Sequence, residues 1–169
     1  LLCFKENHEQ GYEKGRFRAM RFPLAGNGGV KKAIEQAILQ NRLPHAIIIE
    51  GESGSGKTVL SRFLAAALLC EQAENPCGAC RACTLTKAGT HPDLFITELE
   101  DKKKNISVEQ IRNMRNEAYI RPQLSDRKVF IVEEADTMNP QSQNAILKVL
   151  EEPPGDTVFI LNVRSRAAL

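Results

Sequence analysis

The sequence predicts an α/β fold with a parallel sheet, and three observations carry that reading. Short apolar runs alternate along the chain with segments of helical period. One run, Ala46-Ile47-Ile48-Ile49-Glu50, leads directly into a glycine-rich loop and a helix. Another, Val129-Phe130-Ile131-Val132, ends in two carboxylates, Glu133-Glu134.

The glycine-rich stretch, Gly51-Glu52-Ser53-Gly54-Ser55-Gly56-Lys57-Thr58, fits the phosphate-loop spacing G-x-x-x-x-G-K-[S/T] without a mismatch. Its composition follows from its chemistry. A triphosphate needs many close donors, and backbone N–H groups supply them only where side chains are small or missing. Gly51, Gly54 and Gly56 with Ser53 and Ser55 meet that need. The start of the next helix, read from Val59 to Leu69, adds unpaired N–H groups and a partial positive charge. Lys57 is expected to reach the β- and γ-phosphates, and the Thr58 hydroxyl to ligate Mg²⁺. A plain glycine turn between strand and helix would not require Lys57-Thr58.

At 169 residues the chain holds one domain with a real core and room for a small appendage. Apolar residues make up 42% and charged residues 26%, ordinary values for a soluble protein. A net charge of +2 gives no basic field from which to argue nucleic-acid binding. No apolar run approaches a membrane span and no signal-peptide core is present, so a cytoplasmic location is the default expectation. Five cysteines in such a protein point to metal ahead of disulfides.

Residues 1–20 look unlike the rest, since Glu6 to Arg18 is polar and lacks an apolar period. They are read as a disordered leader, or as sequence upstream of a start at Met20, and are set outside the fold. Residues 21–169 are read as the domain. Asn27 to Leu43 is expected to be a helix with Asn27 as its cap and Val30, Ile34, Ala37, Ile38 and Leu39 as its stripe. Pro44-His45 leads into the first strand, and a lone histidine there is read as structural. In the phosphate-loop helix, Leu60, Phe63, Leu64, Ala67 and Leu68 share one face.

Cys70 follows that helix, and then Cys77, Cys80 and Cys83, spaced C-x6-C-x2-C-x2-C. Four thiolates within fourteen residues suit one tetrahedral Zn²⁺, with Asn75-Pro76 and Gly78 providing tight turns. Four ligands close the site, so the zinc is expected to be structural, in an insert at about residues 70–83. Unliganded thiols or disulfides are the alternative, and Cys3 stands apart as incidental.

Leu94-Phe95-Ile96-Thr97 is the second strand, and Asp101-Lys102-Lys103-Lys104-Asn105 reads as a solvated loop. Ser107-Val108-Glu109-Gln110 has capping-box form and opens a helix to about Tyr119, with Val108, Ile111, Met114 and Ala118 inward. Pro122 ends that region. The third strand runs from Lys128 to Val132. The acidic pair after it has the shape of a Walker B element: Glu133 would hold Mg²⁺ and Glu134 would polarise the attacking water. The usual first residue is Asp. Glu133 carries one more methylene, which changes how Mg²⁺ would be positioned. A solvated acidic turn is the bland alternative. Asn139-Pro140 starts a helix with Ala145, Ile146, Val149 and Leu150 on its apolar face, and Glu151-Glu152-Pro153-Pro154 stops it. Thr157 to Leu161 is a fourth strand. Open sheets of this kind usually have at least five, so the chain is read as cut short at its C-terminus.

These motifs in this order resemble the N-terminal ATPase domain of bacterial DNA polymerase III clamp-loader subunits, in the AAA+ class. The matching pieces are Asn41-Arg42-Leu43-Pro44-His45-Ala46, the phosphate loop, the four-cysteine insert, His91-Pro92-Asp93, Ser107 to Arg112, and Gln143 to Pro154, over about residues 21–162. The delta-prime and gamma/tau branches share the layout. His91-Pro92-Asp93, the degenerate Val132-Glu133-Glu134-Ala135-Asp136 and the slightly short cysteine insert favour delta-prime.

The resemblance implies a P-loop AAA+ three-layer core with a parallel sheet. It also implies a five-subunit ring with gamma/tau and delta that uses ATP to open the sliding clamp and place it on primed DNA. Delta-prime is a rather rigid stator in that ring and lends an arginine finger to a neighbour. Ser165-Arg166 comes too early to be given that role, and Asn162 stands near the sensor-1 place. ATP binding is therefore expected more than turnover. An ATP-hydrolysing gamma/tau motor, a P-loop kinase and a nucleic-acid-binding zinc ribbon are the competing readings. The insert stands where a kinase would want its substrate. Arg81 and Lys87 without interleaved aromatics make a poor nucleic-acid surface.

Overall fold

A computed structural model describes residues 2–4, 28–40, 42–72, 76–101 and 103–169. Asn27 (read as a helix cap), Met20, Asn41, Asn75, Lys102 and the side chain of Leu39 lie outside the described residues.

Among the described residues the sheet is wholly parallel and five-stranded. Its strands are β1 (Leu2–Phe4), β2 (Ala46–Glu50), β3 (Leu94–Thr97), β4 (Lys128–Val132) and β5 (Thr157–Val163), in the order β1-β2-β5-β4-β3. The helices are α1 (Gly28–Leu39), α2 (Lys57–Leu69), α3 (Arg81–Ala88), α4 (Val108–Ala118) and α5 (Pro140–Glu151). Several sequence expectations change: α1 ends at Leu39, short of the expected Leu43, and β5 continues past Leu161 to Val163. The sheet has a fifth strand, and it lies in the segment set outside the fold: Leu2–Phe4 pairs with Ile47–Ile49 on the open edge of β2. A three-residue strand is too short to show periodicity. The insert also carries a helix, α3, whose eight residues overlap the cysteine spacing.

Each face of the sheet has its own core, because strand side chains alternate between faces. Ile47, Ile49, Val129, Ile131, Val158 and Ile160 pack against Ile34 of α1 and Leu60, Leu64 and Leu69 of α2. Ile48, Phe130, Val132, Phe159 and Leu161 pack against Ile111 and Met114 of α4 and Ile146 and Val149 of α5. Burial on both faces explains why the central strands read as unbroken apolar runs. Phe95, Phe130 and Phe159 stack across three neighbouring strands with ring centroids 5.0 Å apart.

Caps set the helix ends. Ser107 and Gln110 form the expected capping box on α4, and the Asn139 side chain caps α5 with Pro140 in the first turn. Buried polar groups have local roles. Lys128 is fully buried at the start of β4, where its ammonium lies 4.9 Å from the Phe95 ring centroid and donates to the Glu117 carbonyl at 2.9 Å. Among the described residues no helix is long and apolar enough to cross a membrane.

Candidate functional site

The C-terminal ends of β2, β4 and β5 meet at one place, where ligands of open α/β sheets bind. The phosphate loop leaves β2 there, and the Gly51 amide donates to the Val163 carbonyl at 3.1 Å. Gly54 and Gly56 take left-handed backbone, φ 79° and 91°, which a side chain would strain. At Gly51 a Cβ would meet the Ser55 hydroxyl at 2.7 Å. Gly56 precedes α2 without a side-chain cap, so the first amides of that helix are left for another acceptor. The Lys57 ammonium crosses the mouth of the loop and donates to the carbonyls of Gly51 at 2.7 Å and Glu52 at 2.8 Å.

Thr58 and Glu133, 75 positions apart, come together: the Thr58 hydroxyl donates to Glu133 Oε2 at 2.9 Å. The same oxygen accepts from the Asn162 amide at 2.7 Å, and Asn162 also donates to the Ser61 hydroxyl at 3.1 Å. Glu133 Oε1 and Asn162 Oδ1 are buried and accept no hydrogen bond among the described residues. A buried carboxylate oxygen without a partner costs on the order of 1–3 kcal/mol, which a cation or its water would offset. Hydroxyl and carboxylate oxygens are the donors Mg²⁺ prefers, so Thr58 and Glu133 fit that ion despite the longer side chain. Glu134 is the sole described non-glycine residue with positive φ, at 48°, a backbone strain of the kind that collects at functional sites. Its carboxylate faces Arg164 at 3.5 Å. Arg166 lies 3.9 Å from Glu50.

Asn162 is the site residue that spacing alone placed loosely. Its signal is a polar side chain inside the apolar run Thr157 to Val163, fully buried and between Ser61 and Glu133. Ser61, on a buried turn of α2, left no comparable mark in the sequence. His45 lies apart from the loop, its Nε2 3.0 Å from the Leu150 carbonyl.

The four cysteines form a second centre. The sulfurs of Cys70, Cys77, Cys80 and Cys83 all lie within 4.8 Å of one another. Cys70 to Cys80 is 3.9 Å and Cys77 to Cys83 is 4.0 Å. A tetrahedron with Zn–S bonds of about 2.3 Å has edges of about 3.8 Å, so the thiols need to move little to hold zinc. Backbone amides of Gln72 and Cys77 point at Cys70, that of Cys80 at Cys77, and that of Cys83 at Cys80. Amides of Ala79 and Cys80 bring the Cys77 thiol down to about 6. Burial raises Cys70 and Cys83 above the ordinary thiol range, so metal binding there would release protons.

The His91-Pro92-Asp93 stretch is an anchor. Asp93 is fully buried and accepts from the amides of Gln123 at 2.6 Å, Leu124 at 2.8 Å and Ser125 at 2.9 Å. Burial raises its pKa, but the amides of Ser125, Gln123 and Leu124 together with His91 outweigh that and hold it below the ordinary 3.8. Burial holds His91 below its ordinary 6.5.

The chain is similar to known proteins. This chain is 46% identical to DNA polymerase III subunit delta′ of Pseudomonas aeruginosa, over 69% of this chain and 36% of that protein. It is 37% identical to the delta′ subunit of Escherichia coli, over 71% of this chain and 36% of that one. It is 35% identical to the tau subunit of Bacillus subtilis, over 86% of this chain and 26% of that one. The chain thus spans about a third or less of the length of these relatives. A gamma subunit-related protein of Thermotoga maritima shares the fold with a TM-score of 0.53, at 24% identity, over 80% of this chain and 40% of that one. The family described as DNA polymerase III, delta subunit, matches residues 26–169, and with relatives of both delta′ and tau type the chain belongs to that family.

Proposed function

We propose that this chain is the nucleotide-binding part of a delta-prime-type clamp-loader subunit. It would work in the cytoplasm in a five-subunit ring with gamma/tau and delta, which loads the sliding clamp onto primed DNA with ATP. The observation that carries the nucleotide role is the meeting of Thr58, Glu133 and Asn162 beside an intact phosphate loop. The amides from Ser53 to Thr58 and the Lys57 ammonium would hold the phosphates, and Thr58 with Glu133 would hold Mg²⁺, which supplies charge neutralisation between the phosphates when bound. Glu134 would orient water, but its pairing with Arg164 and the Glu133 substitution favour weak turnover by this subunit. The four cysteines would hold one structural Zn²⁺. Residues 21–169 form most of its core domain, with the insert at about 70–83, and Leu2–Phe4 adds the edge strand of the same sheet.

Nucleotide titration of the chain with Mg²⁺, wild type against Lys57→Ala, tests this reading. Micromolar binding that weakens about 30- to 100-fold supports it, the loss of one charge-assisted contact worth about 2–3 kcal/mol. Equal binding by the two would sink it.

The gamma/tau motor reading keeps one specific support, 35% identity to a tau subunit over most of this chain. It requires Glu134 as the base, and ring ATPase unchanged by Glu134→Gln would exclude it.

A further inference from the structure

A chain of hydrogen bonds runs from the buried His91 to the zinc-ligand set. The Asp93 amide donates to His91 Nδ1 at 3.0 Å, so the ring proton must sit on Nε2. Nε2 lies 3.3 Å from the Ser125 hydroxyl oxygen, which therefore accepts from it. The Ser125 hydroxyl has one proton and gives it to the Leu69 carbonyl at 3.2 Å. That carbonyl ends α2, where intrahelical partners run out, and it belongs to the peptide unit from which Cys70 hangs. The serine is itself fixed, because its amide is one of the three that the Asp93 carboxylate holds. Cys70 also receives the amides of Gln72 and Cys77, so the orientation of this one residue sets the first corner of the sulfur tetrahedron.

We propose that His91 and Ser125 are positioning residues for the zinc centre: through the Leu69 carbonyl they fix the peptide plane that aims the Cys70 sulfur. The proposal rests on the zinc reading above. It makes the insert's metal retention depend on two residues outside the set of four thiols. Without the Ser125 hydroxyl the Leu69 carbonyl is free to tilt, Cys70 loses its fixed direction, and the metal leaves first by way of this thiolate. Partners beyond the ligands typically change metal affinity by 10- to 100-fold, and an effect passed through one backbone carbonyl belongs at the low end, about tenfold.

The test measures zinc content and the rate of zinc transfer to a chromophoric chelator, using the whole chain purified with zinc. Ser125→Ala and His91→Ala are expected to hold one zinc and release it about tenfold faster than wild type, and Ser125→Thr, which keeps the hydroxyl, to release it near the wild-type rate. Ser142→Ala is the control: it deletes a buried hydroxyl that donates to the Ile106 carbonyl at 3.0 Å on the opposite face of the sheet. Its release rate should stay at wild type although its melting temperature falls. Wild-type release from Ser125→Ala would overturn the proposal and leave the zinc reading standing. Equal acceleration by Ser142→Ala would overturn it too, by assigning the effect to global stability. A wild-type chain without zinc would overturn both. Should His91→Ala fail to fold, Ser125→Ala decides.

Discussion

Replacing Asp93 by Asn is the most exacting test of the fold, because it keeps the shape and removes only the charge and one acceptor. Asp93 has no solvent exposure, and its two oxygens take three amides from a loop thirty residues away. Hydrogen bonds to a charged group contribute about 1.5–3 kcal/mol each, so the three together are worth about 4–9 kcal/mol before desolvation of the carboxylate offsets several. Asn would put an NH₂ group against at least one amide donor. The net cost is expected to be about 2–3 kcal/mol, which for a domain of this size is a fall in melting temperature of about 4–12 °C. Scanning calorimetry at pH 7 measures it, and acid supplies the sign check. The folded-state pKa of Asp93 lies below its ordinary 3.8, so its stabilisation is complete above that value and is lost as pH falls through the folded value. The gap between wild type and Asp93→Asn should therefore narrow below about pH 4. A gap under about 0.5 kcal/mol at pH 7, the range of an ordinary surface change, or one that does not narrow in acid, would refute the anchor.

Three further outcomes are expected. Phe130→Ala, which removes the middle ring of the stack and is fully buried, should cost about 3–5 kcal/mol in denaturant unfolding, whereas exposed Tyr119→Ala should cost under about 0.5 kcal/mol. His91 should remain neutral as pH falls past 6.5, read from its imidazole resonances, and a ring charged at pH 6.5 would contradict its buried place. Glu133→Gln should weaken Mg²⁺-dependent nucleotide binding about tenfold or more while leaving the melting temperature within a few degrees. Unchanged Mg²⁺ dependence would remove Glu133 from the cation site.

What the sequence revealed was local. The glycine-rich loop and the cysteine spacing are short-range patterns; the loop joins β2 to α2 and the four sulfurs converge. The caps at Ser107 and Asn139 were legible for the same reason, since cap and capped amide are three residues apart. Pairings across the chain were not legible. Nothing near Asp93 announces the loop at Gln123 to Ser125, and nothing near Lys128 announces that it lies beneath Phe95 and Glu117. Strand β1 is not legible in the sequence, because three apolar residues make a strand only when an open parallel edge waits beside them. Helix α3 is not legible either, because its inward face, Ala82, Cys83 and Thr86, shares a residue with the four-cysteine cluster and shows no clean stripe.

Helix α2 is one unbroken rod of thirteen residues, about 20 Å long, with the phosphate loop at one end and Cys70 at the other. Its far end meets the Ser125 loop and the insert, and its near end is held by Leu60 and Leu64 in the core and by Thr58 and Ser61 at the site. A rod so held moves as one body. A tilt of about 5° about the Cys70 end would carry the loop end through about 2 Å, enough to make or break the 2.9 Å contact between Thr58 and Glu133. The two centres share no residue, yet they sit on one rigid body, and a displacement of either is felt at the other.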